Sequence, residues 1–306
     1  MKFKKLTALL LSVLMLLALA ACGAKPENEL RMFDGTYSEE KLITYMTKLL
    51  VEDKTDLTVK ISDQMTSVNA FKEISAADPG CDMLNCYDGT LLTTFLHLDP
   101  LDVPAGQSLY DFANSVAMEK YGLRMLAKMG HDNTYAIAVP QDIADKYKLK
   151  TVSDLVPVAG ELVFGAEHEF FSQEGSMKYD PFIKFYGLSF KDRKTVDLGL
   201  KYIGIENRNF DVTEVYATDG LNRKAKLTVL EDDKEFFPEY NGALLVRDEI
   251  FAKYKDIAPN LEDVLNTMGG CMTNEKMTDL TYAVDVEGKT VPAVAEEFLR
   301  AEGLIG

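Results

Sequence analysis

Basic residues, histidine and cysteine are scarce in this chain of 306 residues. Its 33 lysine and arginine residues face 49 aspartate and glutamate residues, which gives a formal net charge of −16. Nucleic-acid binding depends on basic side chains that neutralise phosphates, so this balance argues against a nucleic-acid partner. The three histidines, His97, His131 and His168, are scattered along the chain, which argues against a metal site. The acidic surplus fits a soluble extracellular protein with mild attraction for cations.

Cysteines are too few and too poorly spaced for a disulfide framework. Beyond the N-terminal segment only Cys81, Cys86 and Cys271 remain, an odd number without a CxxC motif. Cys81 and Cys86 lie five positions apart on a predicted strand, so their side chains are expected on opposite faces and would bridge poorly. We expect these three thiols to be buried or free.

Long apolar runs are also absent, except for one at the N terminus. Residues 6–21 are apolar apart from Thr7 and Ser12, follow the basic start MKFKK and end in Leu-Ala-Ala-Cys. A basic start, an apolar stretch of about 15 residues and small residues at its end are typical of an export signal. The ending is also similar to the bacterial lipobox, which predicts that Cys22 is lipidated and anchors the mature chain to the outer face of the cell membrane. A plain secretion signal with a chance cysteine is the alternative.

Helix and strand patterns alternate along the rest of the chain. About 285 residues remain after the signal, more than one domain usually holds. Ser38 precedes apolar residues at one-face spacing, which predicts a capped amphipathic helix. Strand patterns at 57–61 and 81–87, with a helix between them, predict a parallel βαβ unit. The sequence therefore predicts an α/β protein of two lobes.

The stretch LNCYDGTLLTTF contains a turn whose role the local sequence leaves open. Tyr87 ends a predicted strand, and Asp88-Gly89 signals a turn because glycine takes positive φ without steric cost. The turn is either a surface loop tip or a strand-to-helix turn that presents a tyrosine ring and the Thr90 hydroxyl to a ligand.

Three further tyrosines lie at strand ends: Tyr135 begins TYAIAV, Tyr216 ends TEVY, and Tyr240 precedes GALLVR. In open parallel sheets ligands bind beyond the carboxyl ends of the strands. A box of ring faces suits a quaternary ammonium, which has no hydrogen to donate and is held by ring quadrupoles. The pattern alone also allows a chance arrangement, because half-buried tyrosines are common.

An ordered series of motifs extends along the mature chain: GTYSEEKLI (35–43), YDGTLLTT (87–94), NTYAIAV (133–139), SDLVPVAGELVFGAEHEF (153–170), YATDG (216–220), LEDDKEFFPEYNGALLVR (230–247) and VDVEGKTVPAVAEEFL (284–299). Together they resemble the substrate-binding lipoproteins of ABC importers for the osmoprotectants glycine betaine, choline and carnitine. The resemblance implies a two-lobed periplasmic-binding-protein-like fold of type II, with two crossing strands between the lobes. It also implies a binding protein without catalytic activity or cofactor, whose partner is an ABC permease subunit.

The resemblance also implies boundaries and site residues. The expected segments are a signal peptide (1–21), a linker (22–29), lobe 1 (30–133 and 242–306) and lobe 2 (134–241). The implied ligand-binding residues are the cage tyrosines Tyr87, Tyr135, Tyr216 and Tyr240, the polar neighbours Thr90 and Asn133, and Glu40 at the family's glutamine position.

Departures from the family pattern, among them three at or beside the predicted site, leave the ligand open among glycine betaine, choline and carnitine. Glu40 replaces an amide, Asp88 replaces a threonine and Cys86 replaces a glutamate. The two acids add negative potential, which favours a cation and disfavours a ligand carboxylate unless their side chains point away.

Two other function classes compete with a solute-binding protein. A lipid-anchored hydrolase or transferase would use His168 as base, because it lies between Glu167 and Glu169 with Ser172 nearby, but no GxSxG motif is present. A structural histidine explains His168 more simply. The third class is a docking module for another protein, which the acidic surface would allow.

Overall fold

The computed structural model describes residues 28–171, 176–197 and 200–306. The predicted export signal, Cys22 and most of the predicted linker lie outside these residues. The described chain forms two α/β lobes, as predicted, each with its own sheets and hydrophobic core. Across the described ranges, no helix has the length and apolar character needed to span a bilayer.

The strands of the described chain are β1 (Glu29–Asp34), β2 (Thr58–Gln64), β3 (Met83–Tyr87), β4 (Leu123–Met125), β5 (Tyr135–Pro140), β6 (Val163–Glu167), β7 (Asp192–Val196), β8 (Val212–Tyr216), β9 (Leu227–Leu230) and β10 (Gly242–Arg247). The helices are Ser38–Lys54, Ser67–Ile74, Leu109–Tyr121, Gln141–Tyr147, Tyr179–Tyr186, Lys201–Glu206, Leu221–Lys224, Glu249–Lys253, Leu261–Asn266, Asn274–Asp285 and Val291–Ala301. A short helical turn at Asp88–Thr90 continues as a π-helix at Leu91–Phe95.

The first lobe contains a parallel pair, β1 with β2, and an antiparallel sheet in the order β3-β10-β4. The predicted parallel βαβ unit is wrong, because β2 pairs with β1 and β3 pairs antiparallel with β10. The partner of β3 comes from the far end of the chain, after the second lobe, so local pattern could not indicate it. The helix Ser38–Lys54 packs its apolar face against these strands and against the helix Val291–Ala301.

The second lobe contains one mixed sheet in the order β7-β6-β8-β5-β9. Strands β7, β6 and β8 are parallel, whereas β5 runs antiparallel to both β8 and β9. Its core is rich in stacked and tilted aromatic rings, including Phe164, Phe170, Phe182 and Phe237. This aromatic core extends to the start of β5, because Tyr135 packs against Phe170 and Phe237.

Two segments cross between the lobes side by side and antiparallel. Asp132 and Asn241 form an isolated bridge, and the Asn133 N–H donates to the Tyr240 carbonyl at 3.0 Å. The crossing segments therefore hold Asn133 and Tyr240 next to each other, at the base of the space between the lobes.

The predicted side-chain cap at Ser38 is wrong. The helix does begin there, but no side-chain hydrogen bond caps it, and the Ser38 hydroxyl donates instead to Asp285. The Glu40 carboxylate in the first turn instead accepts the N–H of Thr36, which precedes the helix, at 2.8 Å.

Candidate functional site

A cleft of about 1350 Å³ lies between the two lobes. The start of the helix Ser38–Lys54 and the turn after β3 line it from the first lobe, and the ends of β5 and β8 line it from the second. All seven residues predicted to bind the ligand line this one cleft: Glu40, Tyr87, Thr90, Asn133, Tyr135, Tyr216 and Tyr240.

The turn after β3 is helical, and its glycine serves a different purpose from the one expected. Gly89 lies in the helical turn and is not among the glycines with positive φ. A Cβ atom at this position would lie 2.1 Å from the ring of Tyr240. Glycine is therefore required because the Tyr240 ring packs directly on the turn, and the same turn places Tyr87 and Thr90 in the cleft.

The four tyrosines form two pairs. The ring centroids of Tyr87 and Tyr240 are 6.5 Å apart, and those of Tyr135 and Tyr216 are 5.4 Å apart with an interplanar angle of 29°. Tyr135 and Tyr216 meet because β5 and β8 are antiparallel and place these two residues opposite each other. The start of one strand thus meets the end of the other, so the expectation of parallel strands at this edge is wrong.

Ring packing and lysine side chains surround the second pair. Tyr135 contacts Phe170 and Phe237, with centroid distances of 5.5 and 6.0 Å. The Lys178 ammonium lies over the Tyr135 ring at 5.7 Å, and the Lys201 ammonium lies over the Tyr216 ring at 5.2 Å. The rings of this pair already contact cations of the protein.

Lys201 belongs to a buried charge cluster behind Tyr216. Its ammonium lies 2.5 Å from a carboxylate oxygen of Glu167 and 3.0 Å from one of Glu214. Burial alone would lower the pKa of Lys201, but the two carboxylates raise it above its ordinary value. Burial also raises the pKa of Glu214. The cluster neutralises the lysine, so the second lobe does not present net positive charge beneath the tyrosines.

Glu39 was not predicted as a site residue, yet it is the common acceptor of the first lobe. Its Oε1 accepts hydrogen bonds from the Tyr87 hydroxyl and, at 3.2 Å, from the Asn133 amide. His131 Nε2 also lies 3.2 Å from Oε1, and the Thr218 hydroxyl donates to Oε2 at 2.6 Å. Burial alone would raise the pKa of Glu39, but the contacts with His131, Thr218 and Tyr87 outweigh it and lower that pKa.

Glu39 also connects the two lobes, because Thr218 follows β8 in the second lobe. The Thr218 carbonyl accepts from the Thr281 hydroxyl of the first lobe at 3.0 Å, and the same hydroxyl accepts the Gly220 N–H at 3.0 Å. A Cβ at Gly220 would lie 2.4 Å from the backbone nitrogen of Tyr282. The segment after Tyr216 is therefore held closely by the first lobe.

The two acidic departures behave differently from each other. Glu40 lines the cleft, but its Oε2 accepts from the backbone and hydroxyl of Thr36 at 2.8 and 3.0 Å. The Asp88 carboxylate points toward a crossing segment, where it accepts from Asn241 N and Nδ2 at 2.9 and 2.8 Å and from Gly89 N. Burial raises the pKa of Glu40, and it raises the pKa of Asp88 to about 6.

Acidic side chains outnumber basic ones in the cleft. Among the described residues, seven acids and three lysines line it: Glu39, Glu40, Asp99, Glu169, Glu206, Asp219, Asp285, Lys41, Lys178 and Lys224.

Tyr37 was also not predicted as a site residue. Its side chain is 43% exposed and lines the cleft. Its hydroxyl donates to the Tyr87 hydroxyl at 3.1 Å, so Tyr37 places a fifth ring beside the two pairs.

Of the other residues considered from the sequence, His168, Cys81 and Cys271 are not among the described residues that line the cleft. His168 is exposed in the turn after β6, and Ser172 lies outside the described residues. Cys81 and Cys86 are buried free thiols, and Cys271 is a half-buried one. Cys86 lines the cleft, and burial raises the pKa of its thiol.

Comparisons with known proteins agree with this architecture. Residues 29–301 match the family described as the substrate-binding domain of the ABC-type glycine betaine transport system. The carnitine transport binding protein OpuCC of Listeria monocytogenes is 31% identical over 311 residues, covering 97% of each chain. The ergothioneine transport permease/binding protein EgtU of Helicobacter pylori is 33% identical over 186 residues, covering 61% of this chain and 32% of that protein.

A crystal structure of a glycine betaine/carnitine/choline ABC transporter superposes with a TM-score of 0.80 at 28% identity, covering 90% of this chain and 99% of that one. The relatives are binding components of transporters, so the chain is a solute-binding protein rather than a hydrolase or transferase. The family match covers nearly the whole described chain. The chain therefore belongs to the family of substrate-binding domains of ABC-type glycine betaine transport systems.

Proposed function

We propose that the protein captures a quaternary ammonium osmoprotectant, namely glycine betaine, choline or carnitine, and delivers it to the permease subunit of an ABC importer. The ligand's ammonium group is held in a cage formed by Tyr87, Tyr135, Tyr216 and Tyr240. The observation that carries this proposal is that two tyrosine pairs, one beside the turn after β3 and one where β5 and β8 meet, line a single cleft between the lobes.

The chemistry of a quaternary ammonium requires such a cage. The group has no N–H to donate, so ring quadrupoles provide its attraction, at about 0.5–2 kcal/mol for each desolvated contact. Several rings are needed to overcome the cost of ordering the ligand and closing the cleft. The excess of acidic over basic side chains in the cleft adds a favourable potential for a cation.

The contact of Lys178 with Tyr135 supports the same assignment. This lysine places a protein ammonium over a ring of the cage at 5.7 Å, which is the geometry that a ligand cation would adopt. In the proposed site Thr90 and Asn133 supply polar contacts beside the cage, and Glu40 contributes negative charge at its edge.

We also propose the lobe boundaries 30–133 with 242–306 and 134–241, so that the crossings near Thr134 and Asn241 act as hinges. The hydrogen bond from Thr218 to Glu39 then belongs to the closed arrangement.

The proposed lipid anchor at Cys22 holds the protein at the outer face of the bacterial cell membrane. Loss of the protein from the membrane fraction in a Cys22→Ala variant is the expected result, and normal retention would contradict the anchor.

The direct test is a thermal-shift panel on the wild-type protein with choline, glycine betaine, carnitine, ergothioneine and a neutral sugar. Ligands that bind only the folded state raise its stability by RT ln(1 + [L]/Kd), so at 100 times Kd the gain is about 2.7 kcal/mol. At least one trimethylammonium compound should raise the melting temperature while the sugar leaves it unchanged. A panel in which no ammonium compound acts would contradict the proposed function.

A further inference from the structure

A buried asparagine in the cleft lacks protein partners. Asn85 lies on β3, two residues before Tyr87 and therefore on the same face of the strand. Its side chain lines the same cleft and is only 8% exposed. Within residues 28–171, 176–197 and 200–306, neither its Nδ2 nor its Oδ1 has a hydrogen-bond partner.

A buried amide without partners destabilises a folded protein. Every residue of β3 is buried, and an apolar side chain at position 85 would fit that strand without this cost. Unpartnered polar groups in a binding cleft are therefore explained most simply if a ligand supplies the partner.

Asn133 offers a second free atom whose orientation is fixed. Its Nδ2 donates to Glu39 at 3.2 Å, so the other end of the amide must be the oxygen. That Oδ1 is buried and, in the described part of the chain, unpartnered. The Glu39 carboxylate beside it already accepts from Tyr87, Asn133 and Thr218, so Asn133 Oδ1 remains as an acceptor for a ligand.

We propose that Asn85, together with Asn133 Oδ1, binds a hydrogen-bond donor of the ligand, so that the protein prefers quaternary ammonium compounds that carry a hydroxyl or N–H group. This inference rests on the proposed function. Choline and carnitine carry a hydroxyl group and ergothioneine carries a ring N–H, whereas glycine betaine has no hydrogen-bond donor.

Matched ligand pairs test this preference by calorimetry on the wild-type protein. Choline is compared with propyltrimethylammonium, in which a methyl group replaces the hydroxyl, and carnitine with γ-butyrobetaine, which lacks the hydroxyl. The hydroxyl-bearing member of each pair should bind about two- to tenfold more tightly. Equal affinities within both pairs would overturn the inference while leaving the proposed function intact. Binding of glycine betaine with none of the four compounds would also overturn the inference, whereas failure of all four compounds and of glycine betaine would instead contradict the proposed function.

Asn85→Leu then separates a binding role from a structural one. The variant should reduce the preference within each pair to less than about twofold and should keep or raise the melting temperature of the ligand-free protein, since it removes unpartnered polar atoms. Asn114→Leu is the matched control, because both ends of the Asn114 amide bond to Met125. It should lower the melting temperature and leave the preference unchanged. An Asn85→Leu protein that is destabilised and keeps its preference would overturn the inference.

Discussion

The two sides of the cleft hold their tyrosines by different means. On the first side, Tyr87 and Tyr240 are fixed by hydrogen bonds: the Tyr87 hydroxyl reaches Glu39 and Tyr37, and the Tyr240 N–H donates to Asp132 at 2.6 Å. On the second side, Tyr135 and Tyr216 pack against each other. Tyr135 also packs against Phe170 and Phe237, and the Lys201 ammonium lies against the ring of Tyr216.

This difference separates two properties of the cage. The first side depends on buried polar contacts, which are costly when one partner is removed. The second side depends mainly on ring packing, and its hydroxyl contact joins two neutral groups, Tyr135 and Tyr216, so losing a hydroxyl there costs less than losing a bond to a carboxylate. Hydroxyl deletions should therefore distinguish the two sides, whereas ring deletions should not.

The largest expected effect comes from Glu39→Ala, which leaves the donors on Tyr87, Asn133 and Thr218 without their acceptor. The free energy of unfolding should fall by about 3 kcal/mol or more. Glu40→Ala is the matched control, because the neighbouring carboxylate accepts its hydrogen bonds from the nearby Thr36, and the substitution should cost about 1 kcal/mol. Urea denaturation measures both. Equal losses would mean that Glu39 does not hold the first side together.

Asp88 should give the first side a measurable pH dependence. Burial raises its pKa to about 6 from an ordinary value of 3.8, so the folded state binds the proton more tightly than the unfolded state. The contribution of Asp88 to the free energy of unfolding is therefore greatest below about pH 4, and it falls by about 1–3 kcal/mol as the pH rises to 6. Asp88→Asn should flatten this part of the stability curve. A variant curve that parallels the wild-type curve would contradict the assignment.

Ring and hydroxyl deletions then test the comparison directly by calorimetry with choline. Alanine at any cage tyrosine should weaken binding by about 1–2 kcal/mol, roughly five- to thirtyfold. Tyr135→Phe should cost less than about threefold because packing holds that ring, whereas Tyr87→Phe should cost up to about tenfold because Glu39 loses a donor. Similar losses for the two phenylalanine variants would remove the distinction between the sides.

The smallest expected effect is on ligand charge preference. Glu40→Gln removes a carboxylate at the cleft while its amide oxygen can still accept from Thr36. The binding of glycine betaine, a zwitterion, should improve a few-fold relative to choline, a plain cation, since carboxylate repulsion in a partly wet cleft is weak. An unchanged ratio of the two dissociation constants would show that this charge does not reach the ligand.

The fold class was predictable from local signals, whereas the residues of the cleft were predictable mainly from the family resemblance of the motifs that contain them. Alternating helix and strand patterns indicated two α/β lobes, and tyrosines at strand ends indicated where ring faces could meet. The strand pairings were not predictable in the same way. Strand β10 pairs with β3 although the whole second lobe separates them in the sequence. The antiparallel pairing of β5 with β8 is likewise not indicated by the sequence of either strand.

The network around Glu39 was missed for a related reason, although one signal existed. Residues 39, 42, 43 and 46 lie on one helical face, and all four are buried, so an acid on this apolar face needed a partner. The partners themselves come from distant segments, namely Tyr87, Asn133 and Thr218. The spacing of residues predicts that an acid is buried, but only the tertiary structure reveals which groups it binds.

The most direct test of the cage compares choline with its neutral carbon isostere, 3,3-dimethylbutan-1-ol, by calorimetry on the wild-type protein. The two ligands have nearly the same shape and the same hydroxyl group, and they differ in the positive charge that ring faces and acidic side chains attract. We predict that choline binds at least about tenfold more tightly, since two or more cation–π contacts contribute. Equal affinity for the two compounds would show that shape and apolar contact, rather than ring quadrupoles, hold the ligand, and it would contradict the tyrosine cage.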